Sequence, residues 1–344
     1  MRPFIYETAA TPTAALHAAL GGQAPSDLGP SSLQSPIHLL AGGTTLIDLM
    51  KLDVMRPTTV IDINALEKAG LGRIEAQRDG LRLGALVRMG DAADHPAIKR
   101  DFPLISQSLQ QAASPQLRNM ASLGGNVLQR TRCTYFRDTS YQECNKRNPG
   151  SGCAAMQGFN RSHAVLGVSN SCIATYPGDF AQALIALDAS VEIAGPRGNR
   201  AIPFAALHLP PGDRPDVETT LRPGEMITSF FVPSGPWTRR SLYLKVRDRQ
   251  SYEFALASAA VALALDNATI QEARIALGGV ATVPWRASDA EAALNGNQLN
   301  DETRRAAAEA AFAGAQPREH NGFKVALGKR TLMQALAQAA AMEI

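Results

Sequence analysis

Ala41-Gly42-Gly43-Thr44-Thr45 and, further along the chain, Arg118-Asn119-Met120-Ala121-Ser122-Leu123-Gly124-Gly125-Asn126 are the stretches on which the fold turns. The first lies between a short apolar run, Ile37-His38-Leu39-Leu40-Ala41, and the helical spacing of Leu46, Leu49 and Met50. Glycines at such a junction let backbone N–H groups converge on an anion, and the start of a helix adds a partial positive charge. The threonine hydroxyls add further donors. The second stretch follows Ser114-Pro115 and repeats the pattern with Ser122. Taken singly, each also reads as a tight turn with a hydroxyl helix cap. Taken together, two such turns would clamp the two phosphates of one pyrophosphate. Neither has the G-x-G-x-x-G spacing of a dinucleotide fingerprint or the lysine of a triphosphate loop, which disfavours NAD and ATP.

All four cysteines, Cys133, Cys144, Cys153 and Cys172, fall in one window directly after the second turn, spaced C-x10-C, C-x8-C and C-x18-C. Zinc sites usually contain a close C-x2-4-C pair, and common ferredoxin spacings are also short. Disulfides would allow three pairings. Spacing alone therefore leaves an iron–sulfur cluster, zinc and disulfides open. Arg130, Arg132, Arg137, Lys146, Arg147 and Arg161 surround the cysteines. Their charge would favour thiolates and offset that of a thiolate-bound cluster. The histidines, His163 among them, form no ligating pattern and read as scattered core or surface residues, and hydrolase chemistry has no support.

The remaining chain is ordinary for a globular protein. Of its 344 residues 45% are hydrophobic, 19% charged and 6% aromatic, with a net charge of +3. The positive residues are dispersed, which argues against a nucleic-acid face. The apolar run Ala255–Leu265 is too short to span a bilayer, so no membrane insertion is expected. Met1–Glu7 contains no apolar run, so no signal peptide is expected.

Residues 14–20 read as a short helix, and the Gly/Pro/Ser-rich stretch from Gly21 to Pro36 as loop. Thr58–Ile63 and Leu81–Val87 read as strands. Asp91–Gln111 reads as two helical pieces broken before Pro103, Phe180–Leu187 as helix and Ser190–Ile193 as strand. Beyond a boundary near residue 235, Ser241–Val246, Ala259–Leu265 and Gln271–Leu277 read as a small antiparallel sheet. Three helices follow, at 288–294, 301–313 and 322–341. Strands mixed with single helices, without strict βαβ alternation, point to an α+β architecture.

At these residues the chain resembles, along nearly its whole length, the FAD-binding medium subunits of molybdenum hydroxylases, the family of xanthine dehydrogenase and carbon monoxide dehydrogenase. The likeness is carried by Ala41–Leu46, Arg118–Asn126 and Tyr176-Pro177-Gly178-Asp179. It continues in Arg222-Pro223-Gly224-Glu225-Met226-Ile227 and Arg274–Val280. The cysteine window is similar to that of the FAD subunits of bacterial periplasmic aldehyde oxidoreductases, which hold a [4Fe–4S] cluster in an inserted loop.

The resemblance implies a two-subdomain FAD-binding fold of the PCMH type, residues 1–57 and 58–235, with an inserted Fe–S loop at about 130–173. A C-terminal antiparallel sheet with helices, like that of CO dehydrogenase flavoproteins, would occupy 236–344. It implies that FAD is held by Leu40, Ala41, Gly42, Gly43, Thr44, Thr45 and Leu46, with Ser122, Gly125 and Asn126. Asp179 would contact the flavin, Ile227 would lie near the isoalloxazine, and Lys245 would stand beside N1 and O2. Read without the resemblance, Asp179 is a helix cap and Lys245 a solvated strand lysine. Cys133, Cys144, Cys153 and Cys172 would ligate the [4Fe–4S] cluster.

The implied function is electron transfer within a three-subunit, molybdenum-dependent aldehyde oxidoreductase converting aldehyde and water to carboxylic acid. A large molybdenum-cofactor subunit would carry out the oxidation, and a small subunit with two [2Fe–2S] clusters would pass electrons through FAD to an external acceptor. Periplasmic residence by co-export with a signal-bearing partner is the expectation, with the cytoplasm as alternative. The competing readings are a stand-alone flavin oxidase or reductase and a zinc-stapled, non-enzymatic module.

Overall fold

The computed structural model describes residues 1–24 and 35–344. The centre of the Gly21–Pro36 loop reading lies outside the described residues. The first unit is a parallel three-stranded sheet built from β1 (Ile5–Thr8), β2 (Ile37–Leu40) and β3 (Thr59–Asp62), in the order β1-β3-β2. Helices α1 (Pro12–Ala19) and α2 (Leu46–Lys51) connect its strands. The β-branched run Thr59-Val60-Ile61 takes the central position, with Val60 and Ile61 buried. The boundary expected at residue 57 stands just before this strand. Thr59–Asp62 pairs on both edges with strands of the first unit.

The second unit is a five-stranded antiparallel sheet of β4 (Ile74–Ala76), β5 (Gly80–Gly84), β6 (Ser190–Ala194), β7 (Arg200–Pro203) and β8 (Met226–Pro233), in the order β4-β5-β8-β6-β7. Five helices follow β5: α3 (Met89–Asp94), α4 (Pro96–Asp101), α5 (Pro103–Gln110), α6 (Pro115–Met120) and α7 (Leu123–Val127). The two helical pieces expected over 91–111 are three. Pro96, like Pro103, occupies a first helical position, and it forces His95 before it into an extended conformation. Strand β5 ends at Gly84, short of the expected Val87. A Cβ at Gly84 would lie 2.1 Å from the Leu71 carbonyl, so the chain turns where only glycine fits.

The cysteine segment runs from α7 to α9 (Phe180–Ala186) and contains little regular structure beyond α8 (Thr134–Arg137). The third unit is an antiparallel sheet of β9 (Ser241–Val246), β10 (Ala257–Asp266), β11 (Thr269–Gly278) and the two-residue β12 (Trp285–Arg286). It is backed by α10 (Ser288–Leu294), α11 (Asp301–Ala311) and α12 (Phe323–Ala340). Asn300 and Thr303 form a reciprocal capping box at the start of α11. The mixed architecture agrees with the α+β expectation.

A buried lysine ties the third unit to the cysteine segment. Lys324, on the first turn of α12, is fully buried and donates to the carbonyls of Gly279 (2.7 Å) and Ser162 (2.9 Å). Burial, with the nearby Arg161 charge, pulls its pKa from 10.5 down to about 7. Between pH 7 and 10.5 the unfolded chain thus binds a proton that the folded protein does not, and this group makes stability rise with pH. In denaturant unfolding, the stability difference between wild type and Lys324→Met should shift in favour of wild type from pH 7 to pH 9. The shift should approach about 1.4 kcal/mol per pH unit. A difference that stays constant across that range would contradict the assignment.

Candidate functional site

The two glycine turns meet. A Cβ on Gly42 would lie 2.0 Å from the carbonyl oxygen of Met120 and 2.9 Å from the Cα of Ala121, so the two backbones touch where only glycine fits. Asn64 and Arg88 bracket the contact. The Asn64 amide donates to the Ala41 carbonyl (3.0 Å), and Arg88 donates both to Asn64 Oδ1 (3.0 Å) and to the Met120 carbonyl (2.7 Å). Backbone bonds from Met89 to Ala121, Leu123 to Val87 and Gly124 to Ala85 fasten the second turn to the segment after β5.

The turns line one cleft of about 800 Å³, within the range of small-molecule and cofactor sites. Its wall includes Leu40, Ala41, Gly42, Gly43, Thr44, Thr45 and Leu46 from the first turn, Ser122 and Gly125 from the second, and Arg130, Glu218 and Arg222 beside them. Gly43 has φ +73°, a left-handed conformation that turns the chain into α2. Among the described residues, none accepts from the N–H groups of Gly42, Gly43, Thr44 or Thr45. Thr45 stands at the N-cap of α2 without making a side-chain cap bond. The capping explanation of that threonine is thereby removed. Ser122 does cap, accepting from the Gly125 N–H at 3.2 Å. Asn126 Oδ1 is buried without a protein partner. A concave run of unspent backbone donors on the cleft wall suits an anionic ligand such as a diphosphate.

Asp179, Ile227 and Lys245 lie outside this cleft. Asp179 and Lys245 form a buried ion pair at 2.8 Å, and the Asp179 carboxylate also accepts from Tyr243 Oη at 2.6 Å. The Lys245 ammonium donates in addition to the Gln111 carbonyl (3.0 Å). Lys245 is therefore not a solvated strand lysine, and Asp179 makes no side-chain helix cap. The pair sits where the second and third units join, and breaking such a pair costs about 3–5 kcal/mol. Ile227, on β8, packs in the central core of the second unit.

The cysteine segment gathers its four residues. All four thiols are free, and Cys133, Cys144 and Cys172 are buried. Cys144 and Cys153 face each other in an isolated antiparallel bridge. Cys133 lies within the electrostatic reach of the other three thiols. Burial pushes the Cys133 thiol up to about 12 and that of Cys172 up to about 11. Backbone N–H groups oppose this shift: that of Phe136 at Cys133, and that of Ala174 at Cys172, 3.4 Å from its sulfur. Beneath the cysteines lies a core of Leu49, Met50, Val54, Met55, Val60 and Phe136.

Arg147 is buried and knits the loop, donating to the carbonyls of Tyr135, Phe136 and Asp138, with Tyr141 a further partner. Arg137 docks it on α2 through Asp48 at 2.7 Å. His163, which reads in the sequence as an unremarkable histidine, is buried with Nε2 3.1 Å from Cys133 Sγ. Only its nearness in the chain to Arg161 and the cysteine window hinted at this. Burial and the Lys324 charge lower its pKa to about 4, so the ring is neutral at pH 7. Among the described residues, no three His, Cys, Asp or Glu side chains are grouped to hold a metal ion.

Comparison with known proteins assigns the architecture. The family described as the FAD binding domain in molybdopterin dehydrogenase matches residues 28–235. The CO dehydrogenase flavoprotein C-terminal domain family matches residues 242–341. The chain belongs to the FAD-binding subunits of the molybdenum hydroxylase family. It is 47% identical to the FAD-binding subunit of Escherichia coli aldehyde oxidoreductase over 99% of both chains. It is 26% identical to the carbon monoxide dehydrogenase medium chain of Hydrogenophaga pseudoflava over 92% of both. A solved structure of carbon monoxide dehydrogenase from that organism superposes with a TM-score of 0.75, covering 99% of this chain and 98% of that one, at 25% identity. This flavoprotein is thus a subunit of an oxidoreductase complex, and its cofactor is FAD.

Because the two turns touch through Gly42, a single methyl group there should prise them apart. Gly42→Ala is expected to weaken FAD binding at least tenfold in fluorescence titration. Gly314→Ala, where a Cβ meets open space, should bind FAD as wild type does. Full flavin affinity in Gly42→Ala would show that the contact does not shape the seat.

Proposed function

We propose that this chain is the FAD- and [4Fe–4S]-carrying electron-transfer subunit of a molybdenum-dependent aldehyde oxidoreductase. In this reading the diphosphate of FAD lies between the turn from Leu40 to Leu46 and the turn holding Ser122, Gly125 and Asn126. Asp179 would contact the flavin, Ile227 would lie near the isoalloxazine and Lys245 beside N1 and O2, with the Asp179–Lys245 pair also bracing the junction of the second and third units. Bound FAD and the iron–sulfur cluster would supply the electron-carrying chemistry, between a small subunit's [2Fe–2S] centres and an external acceptor. A large molybdenum-cofactor subunit would oxidise the aldehyde. The aldehyde assignment rests on the 47% identity to a subunit bearing that name. No helix is long and apolar enough to cross a membrane among the described residues. Periplasmic residence alongside a signal-bearing partner belongs to the same proposal.

The observation that carries the cluster is the gathering of four unpaired thiols in a loop with almost no regular structure of its own. The cysteines of a four-iron cluster surround an inorganic core larger than a single ion. The protein side is suited to one. Cys133, Cys144, Cys153 and Cys172 would each supply a thiolate, and backbone N–H groups aim at the sulfurs of Cys133, Cys153 and Cys172. His163 would donate to Cys133, and Lys146 supplies positive charge beside Cys172. Hydrogen bonds and charge of this kind set cluster potentials.

Purified full-length chain should show flavin absorption together with a broad brown band, and roughly four irons and four sulfides per chain. A flavin-only spectrum, or zinc in place of iron, would contradict the cluster assignment.

A further inference from the structure

Between the flavin cleft and the cysteines lies a chain of alternating charge. Arg130, on the cleft wall, pairs with Glu218 at 2.6 Å, and the other oxygen of Glu218 pairs with Lys146, also at 2.6 Å. The three side chains are largely shielded, at 16%, 22% and 13% exposure for Arg130, Glu218 and Lys146. Lys146 and Glu218 share with Cys172 the lining of a small internal cavity of about 40 Å³. Thr131, Tyr176 and His208 are among the other polar residues of that lining. Burial disfavours the Glu218 carboxylate, but Arg130 and Lys146 overcome this and hold it ionised. Burial likewise disfavours the Lys146 ammonium, while Glu218 and Cys172 keep it charged. Glu218 touches none of the cysteines.

We propose that Glu218 is a positioning residue that sets how much of the Lys146 charge reaches Cys172, and that through Arg130 it links the cysteine centre electrostatically to the flavin cleft. This inference rests on the cluster reading given above. An anion held between two cations screens both. Removing its charge exposes Lys146 fully to the thiolates, which favours the more negative, reduced centre. Removing Lys146 leaves Glu218 facing them, which favours the oxidised one. In a medium shielded from water these effects act over several ångströms.

The test is spectroelectrochemical titration of the full-length, cofactor-loaded chain, with iron content measured on every sample. Glu218→Gln should raise the midpoint potential of the cysteine centre, and Lys146→Met should lower it. Each should change the reduced-to-oxidised ratio at fixed potential by on the order of tenfold, about 59 mV for one electron. The double variant should return towards wild type. Arg130→Met, which releases Glu218 at its far end, should lower the potential as Lys146→Met does, and this keeps the test decisive if Glu218→Gln does not fold. Shifts of the same sign in Glu218→Gln and Lys146→Met, or none in iron-loaded protein, would overturn the inference while leaving the cluster reading intact. Wild-type chain without iron would overturn both.

Discussion

The backbone of Gly42 rests against those of Met120 and Ala121, and much of the site depends on that contact. It brings two turns from different units to one cleft and holds them at a spacing no side chain would permit. The first turn belongs to a parallel sheet, the second to helices that follow an antiparallel one. Neither unit alone presents donors from both sides. Asn64 and Arg88 secure the contact with hydrogen bonds to carbonyls of both turns, so the cleft is preformed rather than assembled around its ligand.

The cysteine segment answers a different constraint. It has few backbone ladders and relies on its neighbours for cohesion. Phe136 is sunk into the core of the first unit, Arg137 reaches Asp48 on α2, and Asn160, Asn321 and Lys324 lace it to the C-terminal unit. The buried Asp179–Lys245 pair, with Tyr243, fixes the second unit to the third. Cysteines, second unit and C-terminal sheet are thus joined by buried, hydrogen-bonded polar groups, an arrangement that gives positional precision where electrons would pass between centres.

Much of this was legible in the sequence because it depends on local rules. Glycine with hydroxyl donors marked both turns, a β-branched run marked the strand at 59–62, and Pro103 marked a helix start. The family resemblance is borne out by the matches across residues 28–235 and 242–341. What escaped was non-local. Strand β8 pairs with both β5 and β6, yet Pro223-Gly224 and Pro233 obscured it, although Ile227–Val232 is rich in β-branched and aromatic residues. Lys245 reads as either a free cation or a solvated one, and only tertiary packing pairs it with a carboxylate from another unit. His163 and Glu218 carried no local signal, since their partners lie 30 or more positions away.

The central claim is that two touching turns form one diphosphate seat. An experimentally determined structure of the FAD-loaded chain tests it most directly. The account predicts density for both phosphates, within hydrogen-bonding distance of backbone N–H groups from Gly42–Thr45 on one side and of the Ser122 hydroxyl on the other. A flavin whose phosphates contact only one turn, or lie elsewhere in the chain, would contradict it.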